Sequence, residues 1–256
     1  MYLAIDIGAT KTLIALFSRR GRVVRRVKFP TARGAHVFID DLVGNLEVFR
    51  KYKISAVVVA VPGIVQKNYS VNFGNRDWGE IDICTPIKNL FSCPIYVEND
   101  ANLAAIYEGY RLPGRTVFLT FSTGIGGGVV EKNRLLAGVN FEPGHRKYEF
   151  NGETNEWEDI AAASALERFY HINPATDLRG KKVMQDIAAR IYLGLPDIAS
   201  EFHPDTVVLG GPMGKIFRLY TKYLPKLPEV KYRRPKRPLE SVIYGCYIYA
   251  KQKERE

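Results

Sequence analysis

The chain has 256 residues, of which 46% are hydrophobic and 25% charged. This composition excludes a disordered, collagen-like or low-complexity protein, and the length allows one large domain or two moderate ones. The three cysteines have no regular spacing, which argues against a disulfide framework or zinc ribbon and favours a reducing compartment. No apolar run approaches the ~20 residues of a membrane helix, and we expect no leader ahead of the first strand pattern. We therefore expect a soluble, cytoplasmic protein without a membrane partner.

The net charge of +10 could indicate a nucleic-acid partner, because excess Lys and Arg raise affinity for phosphate-rich ligands. Much of the excess lies in residues 19–28 and 231–237. In the first stretch basic residues alternate with valines, a pattern typical of a hairpin strand with one exposed face. We interpret both stretches as solvated surface and expect no nucleic-acid partner.

The first half of the chain alternates apolar runs with turn signals. In chain order it predicts strands at 2–7, 12–17 and 23–29, a helix at 37–52, strands at 56–61 and 94–97, and a helix at 100–110. The Val-rich run at 56–61 is continuously apolar, which is typical of a strand covered on both faces in a parallel sheet.

The same order of elements returns in the second half. It predicts strands at 116–121, 127–131 and 134–139, helices at 158–170 and 181–201, a strand at 206–209 and a final helix at 239–250. The repeat indicates a duplication into two α/β domains, 1–112 and 113–238, with a final helix (239–254) packed back on the first. Two such domains would place their Gly-rich turns on opposite walls of an interdomain cleft, where ligands commonly bind.

The turn after the first strand contains the parts of a phosphate and Mg²⁺ site. Gly8 and Ala9 leave backbone N–H groups unshielded, Thr10 and Lys11 can donate hydrogen bonds, and Asp6 can hold a hydrated metal ion. The alternative is a tight hairpin turn, which needs glycine but neither lysine nor aspartate.

The turn at residues 122–128 has more glycines than a simple hairpin needs, and each one costs backbone entropy. Close approach to a phosphate explains this density. The turn is not a dinucleotide-binding fingerprint, because Val129 occupies the last glycine position and a hairpin follows. The chain contains no Walker A sequence.

Asp100 lies where a predicted strand gives way to a predicted helix. It could simply cap that helix. It could also accept the proton of a hydroxyl that attacks a γ-phosphate, the role of a base in phosphoryl transfer.

These motifs, in this order, resemble those of ROK-family sugar kinases. The matching segments are the Asp-x-Gly-x-Thr-Lys start, Pro62-Gly63, Asn75 with Trp78, residues 98–102, residues 122–128 and residues 142–145. The resemblance extends from residue 3 to the final helix, and the combination is specific although the single motifs are not. It implies an actin-like, ribonuclease-H-like two-domain α/β fold and ATP-dependent phosphorylation of a sugar hydroxyl, with the 6-hydroxyl of glucose or a related hexose as acceptor.

The resemblance also implies a role for each matching residue. Asp100 would be the catalytic base. The other sugar ligands would be Asn75, Asn99, Glu142, His145 and Glu158. The residues facing ATP would be Asp6, Gly8, Ala9, Thr10, Lys11, Thr123, Gly124, Gly210 and Gly211, with Asp6 holding Mg²⁺ through water. We also expect a homodimer.

The chain departs from the family at one segment. Family members usually follow the histidine with a Cys-rich stretch that binds structural zinc, whereas His145 to Glu158 contains no cysteine. We therefore expect no zinc site, and we expect the shortened loop that holds Glu158 to be ordered by packing, through Trp157.

Three alternatives remain open. The first is a kinase for an N-acetylated amino sugar, which would share these catalytic parts. The second is a sugar-responsive regulator, since the family includes DNA-binding repressors; those carry a helix-turn-helix segment, which we do not expect ahead of Tyr2. The third is a catalytically inactive sugar-binding protein, which the presence of Asp100 and Lys11 argues against.

Overall fold

The structure is a computed structural model. It describes residues 1–65, 70–72, 78, 80–136, 139, 141–170 and 180–256, with backbone only for residues 64, 70–72 and 80. Within these ranges no helix has the length and apolar character needed to cross a lipid bilayer.

The elements of the first part of the chain are β1 (Tyr2–Ile7), β2 (Lys11–Phe17), β3 (Val23–Pro30), α1 (Ala35–Leu46), β4 (Ala56–Val61), β5 (Ile64–Val65), β6 (Ser70–Asn72), β7 (Glu80–Asp82), α2 (Cys84–Lys88), β8 (Ile95–Asn99) and α3 (Asp100–Gly109). Those of the second part are β9 (Arg115–Phe121), β10 (Ile125–Glu131), β11 (Arg134–Leu135), β12 (Lys147–Phe150), β13 (Glu153–Glu156), α4 (Trp157–Ala161), α5 (Ala163–Tyr170), α6 (Lys181–Tyr192), α7 (Leu195–Phe202), β14 (Thr206–Gly210), α8 (Phe217–Tyr220), β15 (Lys231–Arg233) and α9 (Ser241–Lys253). Short 3-10 helices occupy Glu47–Phe49, Pro143–His145, Pro212–Ile216 and Thr221–Tyr223.

The chain forms two compact units. The first contains Met1–Leu103 and Val242–Glu256, and the second contains Ala104–Ser241. The boundary between them falls within α3.

The first unit is built on a five-stranded sheet of order β3-β2-β1-β4-β8. β1, β2 and β3 are antiparallel neighbours, whereas β1, β4 and β8 run parallel. Every residue of β4 is buried, as the continuous apolar run predicts. On this unit α9 places Tyr244 and Tyr247 with their ring centroids 5.3 and 5.2 Å from that of Phe17.

The second unit repeats this plan. Its five-stranded sheet has the order β11-β10-β9-β14-β15, with three antiparallel strands followed by two parallel ones. The second sheet therefore has the same strand order and directions as the first, and the predicted duplicated α/β architecture is confirmed. Its core is closed by α4–α7, with Trp157 fully buried.

Three predicted helices end earlier or are broken. The predicted helix at 37–52 stops as an α-helix at Leu46 and continues as a 3-10 turn. The one at 158–170 is interrupted at Ala162, whose backbone is extended with ψ of 154°. The one at 181–201 is interrupted before Leu195, because Pro196 lies in the first turn of α7 and cannot donate a hydrogen bond to the turn before it.

The strands β12, β13 and β15 and the small sheet β5-β6-β7 were not predicted. They are two to four residues long, and β15 is mostly exposed and basic, so their apolar content is too low for the periodicity that reveals longer strands. The predicted strand at 134–139 ends at Leu135 as β11, and residues 137 and 138 lie outside the described residues.

Candidate active site

Acidic residues lie at the carboxyl ends of the parallel strands, at one edge of the first unit's sheet. Asp6 in β1 pairs with Ala60 in β4, and Ala60 pairs with Glu98 in β8. β8 leads directly into α3, which begins at Asp100. The register therefore brings Asp6 and Asp100 to the same edge of the sheet, because parallel strands end on the same side.

The Asp6 carboxyl has unusual electrostatics. Burial, and after it the nearby charge of Asp100, raises its pKa to about 7 against the opposing charge of Lys11. The buried Cys246 thiol lies near both carboxylates, and its pKa is raised by burial first and then by their charges. A cation beside Asp6 would offset this carboxylate repulsion, and Mg²⁺ prefers carboxylate and water oxygens. The residues present therefore fit the predicted metal.

The junction of β8 and α3 is capped by Asn99. Its side-chain oxygen accepts hydrogen bonds from the backbone N–H groups of Ala101 at 2.9 Å and Asn102 at 3.1 Å, and its amide donates to the Gly63 carbonyl at 3.1 Å. Asp100 Oδ1 also lies 2.7 Å from the Ala101 nitrogen. Capping of α3 thus falls mainly to Asn99. The bond to Gly63 uses one of the two N–H groups of the Asn99 amide.

The turn between β1 and β2 is held by Thr31, at the end of β3. The Gly8 N–H donates to the Lys11 carbonyl at 3.1 Å, and the Thr31 hydroxyl donates to the Gly8 carbonyl at 2.8 Å. The Thr31 N–H donates to the Thr10 carbonyl at 3.1 Å, and its hydroxyl lies 2.9 Å from that of Thr12. The outer residues of the turn are exposed: Ala9, Thr10 and Lys11.

Two Gly-containing turns follow neighbouring parallel strands in the second unit. Thr123 and Gly124 come after β9, and Gly210 and Gly211 close β14, which pairs with β9 in parallel. Gly211 has φ of 68°, and a Cβ there would lie 2.6 Å from the Phe121 carbonyl oxygen. The position therefore requires glycine, and the two turns share one edge of the sheet.

Packing inside the protein accounts for part of the glycine density at 122–128. A Cβ on Gly124 would lie 2.5 Å from Glu158 Oε2, and one on Gly127 would clash with the Phe141 ring. The Ile125 N–H donates to Glu158 Oε2 at 3.2 Å. These two glycines therefore make room for Glu158 and Phe141, and the phosphate-binding role of the turn stays a prediction.

A second polar group, which we call the His145 cluster, contains Glu142, His145, Glu156 and Glu158. Burial and the charge of Glu158 raise the pKa of Glu142, while His145 lowers it. His145 Nδ1 lies 2.9 Å from Glu156 Oε2. One ligand atom from each of His145, Glu156 and Glu158 lies within 4.8 Å of the others, but hydrogen bonds already use Nδ1 of the histidine and Oε2 of Glu158, and we assign no metal to the cluster.

The structure thus assembles the predicted residues into two groups, one in each unit. Asp6, Asn99, Asp100 and the turn at 8–11 lie at the edge of the first sheet. Glu142, His145 and Glu158 form the cluster of the second unit, whose sheet edge carries the turns at 123–124 and 210–211. Asn75 lies outside the described residues; Trp78, from the same motif, is buried and stacks on Phe38 with ring centroids 4.7 Å apart.

Sequence reasoning missed Thr31 and Glu156. Each acts through a partner that is distant along the chain: Thr31 through the turn at Gly8, and Glu156 through His145. A threonine after a strand and a glutamate in an acidic loop carry no local pattern, so only pairing in three dimensions reveals them.

Two sheets of identical strand order, each with Gly-containing turns at the carboxyl ends of parallel strands, define the actin-like class of α/β proteins. Residues 2–244 match the model described as "ROK family", and the chain belongs to that family.

The relatives of known function include both kinases and repressors. The chain is 27% identical over 188 residues to a xylose repressor of Bacillus spizizenii, a match that covers 62% of this chain and 48% of the repressor. It is 26% identical to a glucokinase of Streptomyces coelicolor, covering 82% of this chain and 81% of that protein. It is 24% identical to an N-acetylmannosamine kinase of Yersinia pestis, covering 83% of each. The chain thus spans about half the length of the repressor and about four fifths of the kinases.

Solved structures show the same fold. A ROK family glucokinase from Streptomyces griseus, in complex with glucose and AMPPNP, has a TM-score of 0.79 at 22% identity and covers 98% of this chain and 99% of its own. A ROK hexokinase from Thermus thermophilus has a TM-score of 0.76 at 24% identity and covers 99% of each chain.

Proposed function

We propose that this chain is an ATP-dependent hexose kinase that transfers the γ-phosphate of ATP to the 6-hydroxyl of glucose. The observation that carries the proposal is Asp100, a carboxylate at the start of α3 next to Asp6 and the Lys11 turn. Glucokinases among the relatives support the choice of substrate.

In this proposal Asp100 is the catalytic base. As the sugar 6-oxygen attacks the γ-phosphorus, its proton passes to the Asp100 carboxylate, the bond from phosphorus to the β–γ bridging oxygen breaks, and ADP leaves. Mg²⁺, held through water by Asp6, would neutralise phosphate charge. Lys11 and the backbone N–H groups of Ala9 and Thr10 donate to the phosphates, whereas the Gly8 N–H already donates to the Lys11 carbonyl.

The other residues hold the two substrates. Hydroxyls near C1 and C2 of the sugar form hydrogen bonds with Glu142, His145 and Glu158. Asn99 donates its remaining N–H to the sugar. Asn75 keeps the sugar-binding role that the family resemblance implies. Thr123 and Gly124 bind phosphate through their backbone, and Gly210 and Gly211 approach the adenosine.

The test is an ADP-release assay over a panel of hexoses, with and without Mg²⁺. Asp100→Asn should lower kcat by about 10²- to 10⁴-fold, the usual contribution of a general base. Its glucose affinity, measured by calorimetry, should change by less than about three-fold, because Asn keeps the size and polarity of the side chain. The exposed Asp41→Asn on α1 is the matched control and should leave kcat unchanged. Full turnover by Asp100→Asn would reject the proposed base.

A second candidate acceptor is N-acetylmannosamine or N-acetylglucosamine, favoured by the N-acetylmannosamine kinases among the relatives. The panel therefore includes both sugars, and a kcat/KM above that for glucose would reassign the substrate without changing the catalytic parts. Sugar binding with no ADP release from any sugar would instead favour the role of a regulator, to which the xylose repressors point.

A further inference from the structure

The side chain of Glu156 forms a hydrogen bond with His145. Glu156 is the last residue of β13 and occupies the N-cap position of α4, yet its side chain makes no capping hydrogen bond. Its carboxylate turns to His145 instead, with Oε2 2.9 Å from Nδ1. Glu156 and His145 keep 36% and 63% of their side-chain surface exposed, so a ligand can still reach the imidazole.

The backbone sets the geometry of this pair. β12 and β13 are antiparallel, with Lys147 opposite Glu156. The ladder is extended by one hydrogen bond, in which the Trp157 N–H donates to the Arg146 carbonyl at 2.7 Å. His145 and Glu156 therefore lie on adjacent chain segments whose register the hairpin determines.

The hairpin itself is fixed to the core of the second unit. The fully buried Trp157 donates through Nε1 to the Arg190 carbonyl at 3.0 Å. The Tyr148 hydroxyl donates to Asp197 at 2.8 Å, and Arg146 pairs with Glu201. All of these contacts are made by protein groups alone, so the position of Glu156 depends on packing.

A carboxylate at Nδ1 determines what Nε2 can do. The Nδ1–H donates to the carboxylate, so the proton of the neutral ring stays on Nδ1 and Nε2 is an acceptor; when the ring is charged, Nε2–H becomes a donor. Such partners hold a functional imidazole in one orientation and one tautomer. Glu142 and Glu158 also face the ring, and the pKa of His145 is raised, first by the hydrogen bond that His145 donates to Glu156.

We propose that Glu156 is a positioning residue that holds His145 through Nδ1 and so makes Nε2 the atom that contacts a sugar hydroxyl. This inference rests on the proposed function. It adds a residue that has no role in the family motifs of this sequence, and it explains how His145 is oriented in a loop without cysteine.

The kinetic test uses Glu156→Gln, which keeps the size of the side chain and removes its charge. The KM for the sugar should rise by about five-fold, the loss expected for a hydrogen bond that orients a ligand group, while kcat and the KM for ATP stay within about two-fold. Glu153→Gln, the same change at an exposed position of β13, is the control and should leave all three constants unchanged.

A second test uses the protein without ligands, because a merely structural role could also raise the KM. Two-bond ¹H–¹⁵N spectra of the imidazoles report which nitrogen carries the proton, and loss of signals in His145→Asn identifies those of His145. The wild type should show the Nδ1–H form, and Glu156→Gln should show a mixture of tautomers with a lower pKa. Thermal melting should differ by less than about 2 °C between the two.

The outcomes separate the two proposals. If the wild type phosphorylates no sugar, the proposed function fails and the role of Glu156 towards sugar fails with it. If the wild type is active but Glu156→Gln keeps both the sugar KM and the imidazole spectra, only the role of Glu156 is overturned. A metal ion bound to Nδ1 in the purified protein would overturn it too.

Discussion

Asp6 and Asp100 lie close together at the edge of the first sheet, and their proximity is unfavourable in the protein without ligands. Burial and the neighbouring charge hold the pKa of Asp6 near 7, well above its value of 3.8 in an unfolded chain. Between these two pKa values, Asp6 keeps its proton in the folded chain and releases it in the unfolded chain. In a phosphate-binding site a bound cation would offset the repulsion between these two carboxylates. The offset would be present only while the cation is bound.

Replacing Asp6 by Asn should therefore stabilise the protein without ligands at neutral and alkaline pH. Between about pH 4 and 7 the folded state binds a proton that the unfolded state has released, so this group lowers the free energy of unfolding as the pH rises. The raised pKa of Asp6 lowers the free energy of unfolding by at most about 4 kcal/mol above pH 7, and it does not change that free energy below pH 4. Calorimetric melting with EDTA should show the Asn variant melting roughly 5 °C above the wild type at pH 8 and level with it near pH 4.

The exposed Asp41→Asn on α1 is the control and should melt within about 1 °C of the wild type at both pH values. A constant difference between Asp6→Asn and wild type at every pH would contradict the assigned pKa. The same Asn variant should also require more Mg²⁺ for half-maximal turnover.

At the scale of single elements, the hairpin β12–β13 is the part of the second unit that carries Glu156 and adjoins His145. It supports the cluster of Glu142, His145 and Glu158 with aromatic and ionic packing. Arg190 is central to that packing: it is 3% exposed, its guanidinium lies 4.5 and 4.0 Å from the ring centroids of Phe150 and Phe169, and its Nη1 donates to the Ile160 carbonyl at 3.1 Å.

Arg190→Met should destabilise the second unit by about 2–4 kcal/mol, because the change removes a buried partner of Asp186 and its cation–π contacts. Arg168→Met is the control: its ion pair with Asp159 is 3.6 Å long and exposed on both sides, and the change should cost less than about 0.5 kcal/mol. Urea unfolding followed by near-UV circular dichroism measures both. Equal stability of the two variants would show that the hairpin does not depend on Arg190.

At the scale of the whole molecule, the position of the cysteines along the chain bears on the predicted absence of a zinc site. The three cysteines, Cys84, Cys93 and Cys246, all belong to the first unit, whereas His145 belongs to the second. The segment from His145 to Glu158 contains no cysteine either, so we predict that the order of the hairpin comes from its own contacts and not from a thiolate metal site.

Removing metal should therefore leave the fold unchanged. We expect less than about 0.1 zinc per chain by mass spectrometry of the purified protein, and we expect dialysis against EDTA to shift the melting temperature by less than about 1 °C, because no binding energy is lost. About one zinc per chain, with a melting temperature that falls on chelation, would contradict this prediction.

The molecule's elements differ in how far the sequence predicts them. Continuous or alternating apolar runs located β1, β4, β9 and β14 closely, because burial on one or both faces determines their composition. The short strands and the hairpin were missed, because they are held by backbone pairing and a few side chains. The helix at 181–201 was predicted too long, because its amphipathic pattern continues across the break before Leu195.

By itself the sequence determined the duplicated α/β plan, the family, and the strand ends that carry Asp6, Asp100 and the Gly-containing turns, since each of these depends on local pattern and chain order. Only the tertiary structure decided that Asn99 caps α3, that Thr31 holds the first turn, that Gly124 makes room for Glu158, and that Glu156 pairs with His145. These contacts join residues through register and packing, and no spacing along the chain specifies them.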